Sequence, residues 1–327
     1  MTVVELRPLS LGELLDRIFT LYRQHLWVFV GIMAVPALAT FSFALFSPES
    51  QNPLAGITGG PSAAPPSLQA VLDDVLFILF ISVASTLLYA LAWGATAVAV
   101  ADVLLGRAAS VRGSYQRLQG KVLRLCALML VLLILMWVVI VLGILVVVLP
   151  AAGLAATLSG PARVAGALVI LLAVLVGLVL GAGLAFWLYA GFGVAVPALV
   201  LEDLKVGAAL RRSWPLTRGH RGRVFLVFLL AMVIAYAAAF IFQGPFWVAM
   251  ALAGRESPAL PTLGYLAGFC GSIGHALAGP LGMIGLVLVY FDLRVRKEGL
   301  DLKLMMDSLQ PGAAAPAEST GSSSAAS

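Results

Sequence analysis

The sequence predicts an all-α integral membrane fold: about six transmembrane helices in three pseudo-repeated hairpins, each preceded by a cytoplasmic amphipathic interfacial helix. Three observations carry that prediction. First, residues are 61% hydrophobic and only 11% charged, with a mean hydropathy of +1.05, so lipid must be the main solvent. Second, apolar runs fall at 26–46, 75–101, 125–149, 164–201, 224–250 and 262–291, and about 20 apolar residues suffice to cross a hydrocarbon core. Third, one unit is written three times at roughly 100-residue spacing. Its copies open at Ser10-Leu11-Gly12-Glu13, Ser110-Val111-Arg112-Gly113 and Lys205-Val206-Gly207-Ala208, and each copy's second run closes on an acid: Asp102, Glu202 or Asp292.

Taken in order, the first short stretch begins with a capping box, Ser10 to Glu13. Leu11, Leu14, Leu15, Ile18, Tyr22 and Leu26 follow at helical spacing, while Glu13, Asp16, Arg17 and Arg23 fall off that stripe. A helix of this kind lies in the interface with its apolar side down. The 25 residues before the first run carry both signs of charge and no small-residue cleavage site, so that run reads as a retained anchor. The segment 47–69, rich in Pro, Gly and Ser, reads as an external loop.

The second short stretch repeats the stripe with Val111, Tyr115, Leu118 and Val122. The fourth run, 164–201, would reach about 57 Å as one helix. It must therefore bend near Pro197 or continue beyond the lipid, which places Val194 to Leu201 at the cytoplasmic surface under some cover. The third stretch, with Val206, Ala209 and Leu210, is expected to break at Pro215. One membrane domain spans 1–308, with pseudo-repeats at about 9–105, 106–203 and 204–300. Residues 309–327, Pro, Ala, Gly and Ser, read as a disordered tail.

Charge sets the orientation. The four segments on one side carry 18 Lys and Arg, and the opposite side carries two, Arg163 and Arg255. The positive-inside rule puts both termini in the cytoplasm. The cations sit at helix ends, not in a basic domain, so the net charge of +5 does not point to nucleic acid. Cys126 and Cys270 lie within apolar runs without metal-ligand spacing, which argues against a disulfide or a metal.

Leu6-Arg7-Pro8-Leu9-Ser10-Leu11-Gly12-Glu13-Leu14-Leu15-Asp16-Arg17 resembles the opening of an uncharacterised actinobacterial-type six-helix membrane family. That family is often labelled glycerophosphoryl diester phosphodiesterase membrane-domain-like. The segments Leu201-Glu202 to Gly219 and Tyr290-Phe291-Asp292-Leu293-Arg294 to Leu302 carry the same likeness. It implies a six-helix integral membrane domain. It does not imply the phosphodiesterase reaction, whose catalytic barrel of about 250 residues has no counterpart here.

Four groups of residues carry candidate chemistry. The exit acids Asp102, Glu202 and Asp292 and the arginines Arg17, Arg117 and Arg212 lie on one membrane side, as structural ion pairs or as a headgroup site. His275 is a titratable group near the middle of a glycine-rich run, with Ser272 three residues before it. A neutral ring in a packing role is the favoured reading, with a proton or substrate role as the alternative. A serine-protease pair is disfavoured, because neighbours on one helix point outward together and rarely meet at about 2.6–3.2 Å. Arg218, His220, Arg221 and Arg223 form a cationic knot suited to anionic lipid or to simple positive-inside anchoring. The rows Ala173-Gly177-Gly181-Ala185 and Gly264-Gly268-Ser272-Ala276 read as close helix packing.

Together these predict a non-enzymatic membrane domain without a cofactor, acting through membrane lipids, a membrane protein partner or a second copy of itself. The alternative is a small transporter or channel with a pathway near the fourth and sixth runs, using His275, Ser272, Tyr189 and Gln243.

Overall fold

In the computed structural model, residues 10–44, 68–157, 162–253 and 257–299 are described, and they form helices without a strand among them. The 47–67 part of the predicted loop and the 309–327 tail lie outside those residues. The helices are α1 (Leu11–Gln24), α2 (Leu26–Ala44), α3 (Leu68–Leu104), α4 (Val111–Gln116) and α5 (Val122–Ala156). They continue with α6 (Ala162–Phe192), α7 (Ala195–Leu201), α8 (Val206–Thr217), α9 (Arg221–Ala253) and α10 (Leu260–Glu298). Six helical stretches are long and apolar enough to cross a membrane: α2, α3, α5, α6 with α7, α9 and α10. The order is a short helix followed by two spans, three times over.

The axis of the molecule is α10. It packs along α9 and α2, and against α3, α1, α7 and α8. Its glycines and alanines explain the closeness: at Gly274 the backbone of Ala238 and Ala239 in α9 stands 3.2 Å from where a Cβ would sit. The α5–α6 hairpin lies to one side. Its helices meet backbone to backbone at Gly143, Gly177 and Gly181.

The capping box at the start of α1 is formed, with the Ser10 N–H donating to Glu13 Oε2 at 2.7 Å and the Glu13 N–H to Ser10 Oγ at 3.2 Å. Leu14, Ile18 and Leu21 are the buried face, with Leu15 and Tyr22 packed beside it, while Leu11 is exposed. Two expectations for the short helices fail. The second is only six residues long, because Arg117 to Lys121 form turns and Gly120 takes a left-handed conformation, φ 84°. Leu118 is nonetheless buried beneath those turns. The third does not break at Pro215 but runs to Thr217. Gly219, φ 85°, supplies the left-handed residue after the helix end.

The fourth run does break, four residues before Pro197. Proline's ring collides with the carbonyl four residues back, which is Gly193, and the helix stops at Phe192 and restarts at Ala195. Pro197 then sits in the first turn of α7, where no helical N–H is needed. Ala195 to Val200 are all buried, covered mainly by α3 and α8.

The small-residue row in the sixth run is also displaced. The buried small residues facing α9 include Gly271, against Gln243, and Gly274, against Ala238 and Ala239. Gly268, from the expected row, lies against the Phe41 ring of α2 at an ordinary 3.6 Å. A row read at i+4 drifts around a helix of 3.6 residues per turn, so a neighbouring glycine can own the interface.

Candidate functional site

The exit acids and their cations gather at one end of the bundle. Asp102, near the end of α3, pairs with Arg117, which follows α4. Glu202, just after α7, takes Arg212 Nε at 3.1 Å and the Tyr290 hydroxyl, with Arg294 at 3.7 Å. Arg212 and Arg294 also share Glu298, at 2.8 Å and 3.1 Å, so two acids and two arginines tie α8 to the end of α10. These bonds, Glu298 first, raise the Arg212 pKa against the cost of its burial, so its charge is fixed. Asp292, whose side chain has 0% exposure, takes Arg296 at 3.0 Å and Arg223 at 3.5 Å. Asp203, held in a left-handed turn at φ 53°, meets Lys121 at 3.4 Å and Arg124 at 3.2 Å. Arg17 is half-buried on α1, the helix that packs against α10.

A second set of bonds serves carbonyls that the helices leave without a donor. Pro36 removes the N–H that would serve the Ile32 carbonyl, and the Tyr115 hydroxyl of α4 donates to that carbonyl at 2.9 Å. Burial pushes the Tyr115 pKa up to about 12, which keeps the proton it donates. Gly191, in the last turn of α6, receives Ser213 Oγ at 2.9 Å and Thr217 Oγ1 at 3.0 Å from α8. Lys121 Nζ caps Val200 at the end of α7 at 2.9 Å, and Lys297 Nζ caps Pro215 and Arg218 at the end of α8, both at 2.7 Å. The Tyr22 hydroxyl of α1 also donates to the Leu277 carbonyl in α10. The short and long helices thus cap one another's ends.

The cationic knot is divided by the fold. Arg223 turns inward to Asp292 and the Ser10 carbonyl, its side chain only 12% exposed. His220 is half-buried, and its Nδ1 is buried without a hydrogen-bond partner among the described residues. Arg221 lies between two indoles, 4.4 Å from the Trp187 ring centre and 3.9 Å from that of Trp214. Such contacts are stronger where water is scarce. Arg218 is exposed, as is Arg211 on α8. Arg211 and Trp214 edge an open groove of about 490 Å³ walled by Leu135 of α5 and Leu188 and Phe192 of α6.

His275 does not sit in a packed interface. It is exposed on α10 and lines a half-open cavity of about 310 Å³ with side chains of α3 and α9. No bond from its ring to a neighbouring helix is found among the described residues. Ser272 Oγ donates to the Phe269 carbonyl of its own helix at 2.7 Å, and no bond joins it to His275. The cavity has no wall from α6, so the two runs named for a pathway do not line it together. Tyr189 packs its ring on Phe228, and Gln243 lies over Gly271.

Sequence reading misses Arg211, Trp187, Trp214, Tyr290, Arg294 and Glu298 as site residues. Trp214 stands in plain view between Ser213 and Pro215, and a tryptophan next to a basic cluster is a usable signal for a membrane interface. Trp187, 34 residues before Arg221, gives no such signal. No curated protein and no solved structure matches the chain. A model for a family of unknown function (DUF7544) matches residues 21–295, from α1 to the end of α10, and the chain belongs to that family.

Proposed function

We propose that this chain is a non-enzymatic multi-pass domain of the bacterial plasma membrane that binds anionic lipid headgroups at its cytoplasmic face. The observation that carries the reading is the arginine and tryptophan edge of the α5–α6–α8 groove. Exposed Arg211 and the Trp214 ring on which Arg221 stacks edge a wall of leucine and phenylalanine, and exposed Arg218 follows at the end of α8. An acyl chain fits the wall and a phosphate fits the edge. Arginine suits phosphate because its planar fork presents paired donors.

The Lys and Arg distribution, 18 against two, supports a cytoplasmic location for this end and for both termini. The repeated order of short helix and two spans supports the threefold pseudo-repeat, with α1, α4 and α8 as interfacial helices. The ion pairs and carbonyl caps then hold those helices in register, and the lipid site is a by-product of that cap. Likeness to the glycerophosphoryl diester phosphodiesterase membrane domain fits a lipid-facing role.

The test is lipid retention by the purified protein, read by native mass spectrometry from mixed micelles of phosphatidylglycerol and phosphatidylcholine. Wild type should retain phosphatidylglycerol preferentially. Each basic residue near a charged surface is worth about 1 kcal/mol, about fivefold in affinity, so Arg211→Ala with Arg218→Ala should cut that preference by about 25-fold. Equal retention of both lipids by wild type would refute the reading. Orientation is tested separately: an impermeant thiol reagent on intact cells should label Gly60→Cys and spare Thr320→Cys, and the reverse pattern would invert the topology.

A further inference from the structure

The cavity beside His275 rests on observations independent of the lipid groove. Its useful side chains come from three helices: Tyr89 and Trp93 from α3, Phe228 and Ala235 from α9, and His275 and Gly279 from α10. Each helix places it at the same depth. Trp93 and Tyr89 stand nine and 13 residues before Asp102, about 14 and 20 Å along α3. Phe228 and Ala235 stand seven and 14 residues after Arg221, about 10 and 21 Å along α9. Gly279 faces Met33, seven residues into α2, and His275 is one turn deeper, about 16 Å from the start of that span. Half of a hydrocarbon core of about 30 Å is about 15 Å, so the cavity lies at the middle of the bilayer.

Three properties of the site restrict its occupant. The walls are aromatic and aliphatic, and Tyr89, their hydroxyl-bearing residue, has Thr40 as its hydrogen-bond neighbour. The Trp93 indole carries a single N–H donor, whereas the neutral imidazole of His275 offers one N–H donor and one acceptor nitrogen and is the more versatile polar contact. In hydrocarbon such a group is costly unless it finds a partner. Glycerol esters and phosphates lie at the membrane surface, too far away to reach it. The ligand must therefore dissolve in the bilayer interior, carry no charge and bring its own oxygen. The indole of Trp93 and the ring of Phe228 favour a planar ring over a flexible chain, because stacked or edge-on aromatic pairs gain beyond the area they bury.

We propose that this cavity binds a planar, uncharged, carbonyl-bearing membrane-dissolved ligand of the quinone type, with the His275 N–H donating to a ring carbonyl oxygen and Trp93 and Phe228 flanking the ring. The site binds and does no redox chemistry of its own. Its half-open side admits the ligand from the lipid.

The experiment uses the full chain in nanodiscs of uncharged phospholipid, with ring-labelled histidine, and a short-tailed benzoquinone as the probe. The chain has three histidines, and loss of one signal in His275→Gln assigns the third. Wild type should show a saturable shift of the His275 ring signal alone. His275→Leu should weaken binding, followed by quenching of tryptophan fluorescence, by about tenfold or more, the value of one lost hydrogen bond. His275→Gln, which keeps a donor, should weaken it less. Ala235→Phe, which fills the cavity from α9, should abolish saturation while leaving the melting temperature near that of the parent. Should His275→Leu fail to fold, Ala235→Phe and the ring signal still decide the matter. A non-saturable response, a response equal in the histidine signals at 25 and 220, or equal binding of a ring hydrocarbon without carbonyl oxygens would overturn the proposal.

Discussion

The α5–α6 hairpin and α10 are both long apolar spans, yet they are solved by opposite means. Helix α5 has the most apolar stretch of the six and α10 the least, but 78% of the α10 stretch is buried in protein against 6% for α5. The order is inverted from a soluble protein, where the most apolar helix would be innermost. Lipid is as apolar as leucine, so burial against protein brings no hydrophobic gain over burial in lipid, and helices associate through close packing and polar bonds. Helix α10 accordingly carries Gly271, Gly274, Gly279 and Gly285 against neighbouring helices and ends in the ion-paired cap. Helix α5 offers branched side chains to its surroundings; of its two glycines Gly143 lies where α6 touches it, and Gly153 faces open space.

The comparison breaks most sharply at the cap. Asp292→Ala removes a carboxylate of 0% exposure from between Arg223 and Arg296. Removing one member of a buried pair costs about 3–5 kcal/mol, so a large drop in detergent-melt stability is expected. Parent-like melting would mean that α10 is not held by its cap. Next come paired truncations. Ile284→Ala, at a fully buried site on α10, should cost about 2–5 kcal/mol. Leu142→Ala on α5, 54% exposed, should stay within about 0.5 kcal/mol. Similar losses at both sites would erase the distinction between the two regions.

Gly181→Leu sharpens the contrast at the hairpin. A Cβ there would stand 2.9 Å from the Ile140 carbonyl oxygen, backbone that cannot swing aside. About 1–3 kcal/mol should be lost, read as a lower melting temperature in detergent. A smaller loss than at Gly181 is expected at Tyr115, whose hydroxyl serves the carbonyl orphaned by Pro36. Tyr115→Phe should cost about 1 kcal/mol. Its pKa is raised to about 12 from an ordinary 10.0, so the neutral hydroxyl's stabilisation is complete below pH 10 and is lost as pH rises through about 12. In the variant that component of the alkaline loss should be absent from melting curves.

Much of this architecture is legible in the sequence because length and apolarity alone define a span. The capping box, the burial of Val194 to Val200 and the one-sided cations are legible for similar reasons, since each is a local pattern. What is not legible depends on residues far apart in sequence. Trp187 and Arg221 meet only because α6 and α9 lie side by side. Glu298 looks like part of a charged helix end, although it shares Arg212 with Glu202 across 96 residues of chain. The proline in the fourth run marks Pro197 as the bend, whereas its ring acts on the carbonyl four residues earlier. Glycines around His275 imply a packed residue, whereas its own face opens on a cavity.

The proposed lipid site lies where the two regions join, between the root of the hairpin and the cap that anchors α10. A photoreactive amino acid placed at Leu188, on the α6 wall of the groove, tests it in living cells. The adducts released after illumination should be enriched in anionic phospholipid relative to the surrounding bilayer, and the enrichment should fall when Arg211 and Arg218 are replaced by alanine. Adducts that mirror bulk lipid composition in both proteins would contradict the lipid-binding role.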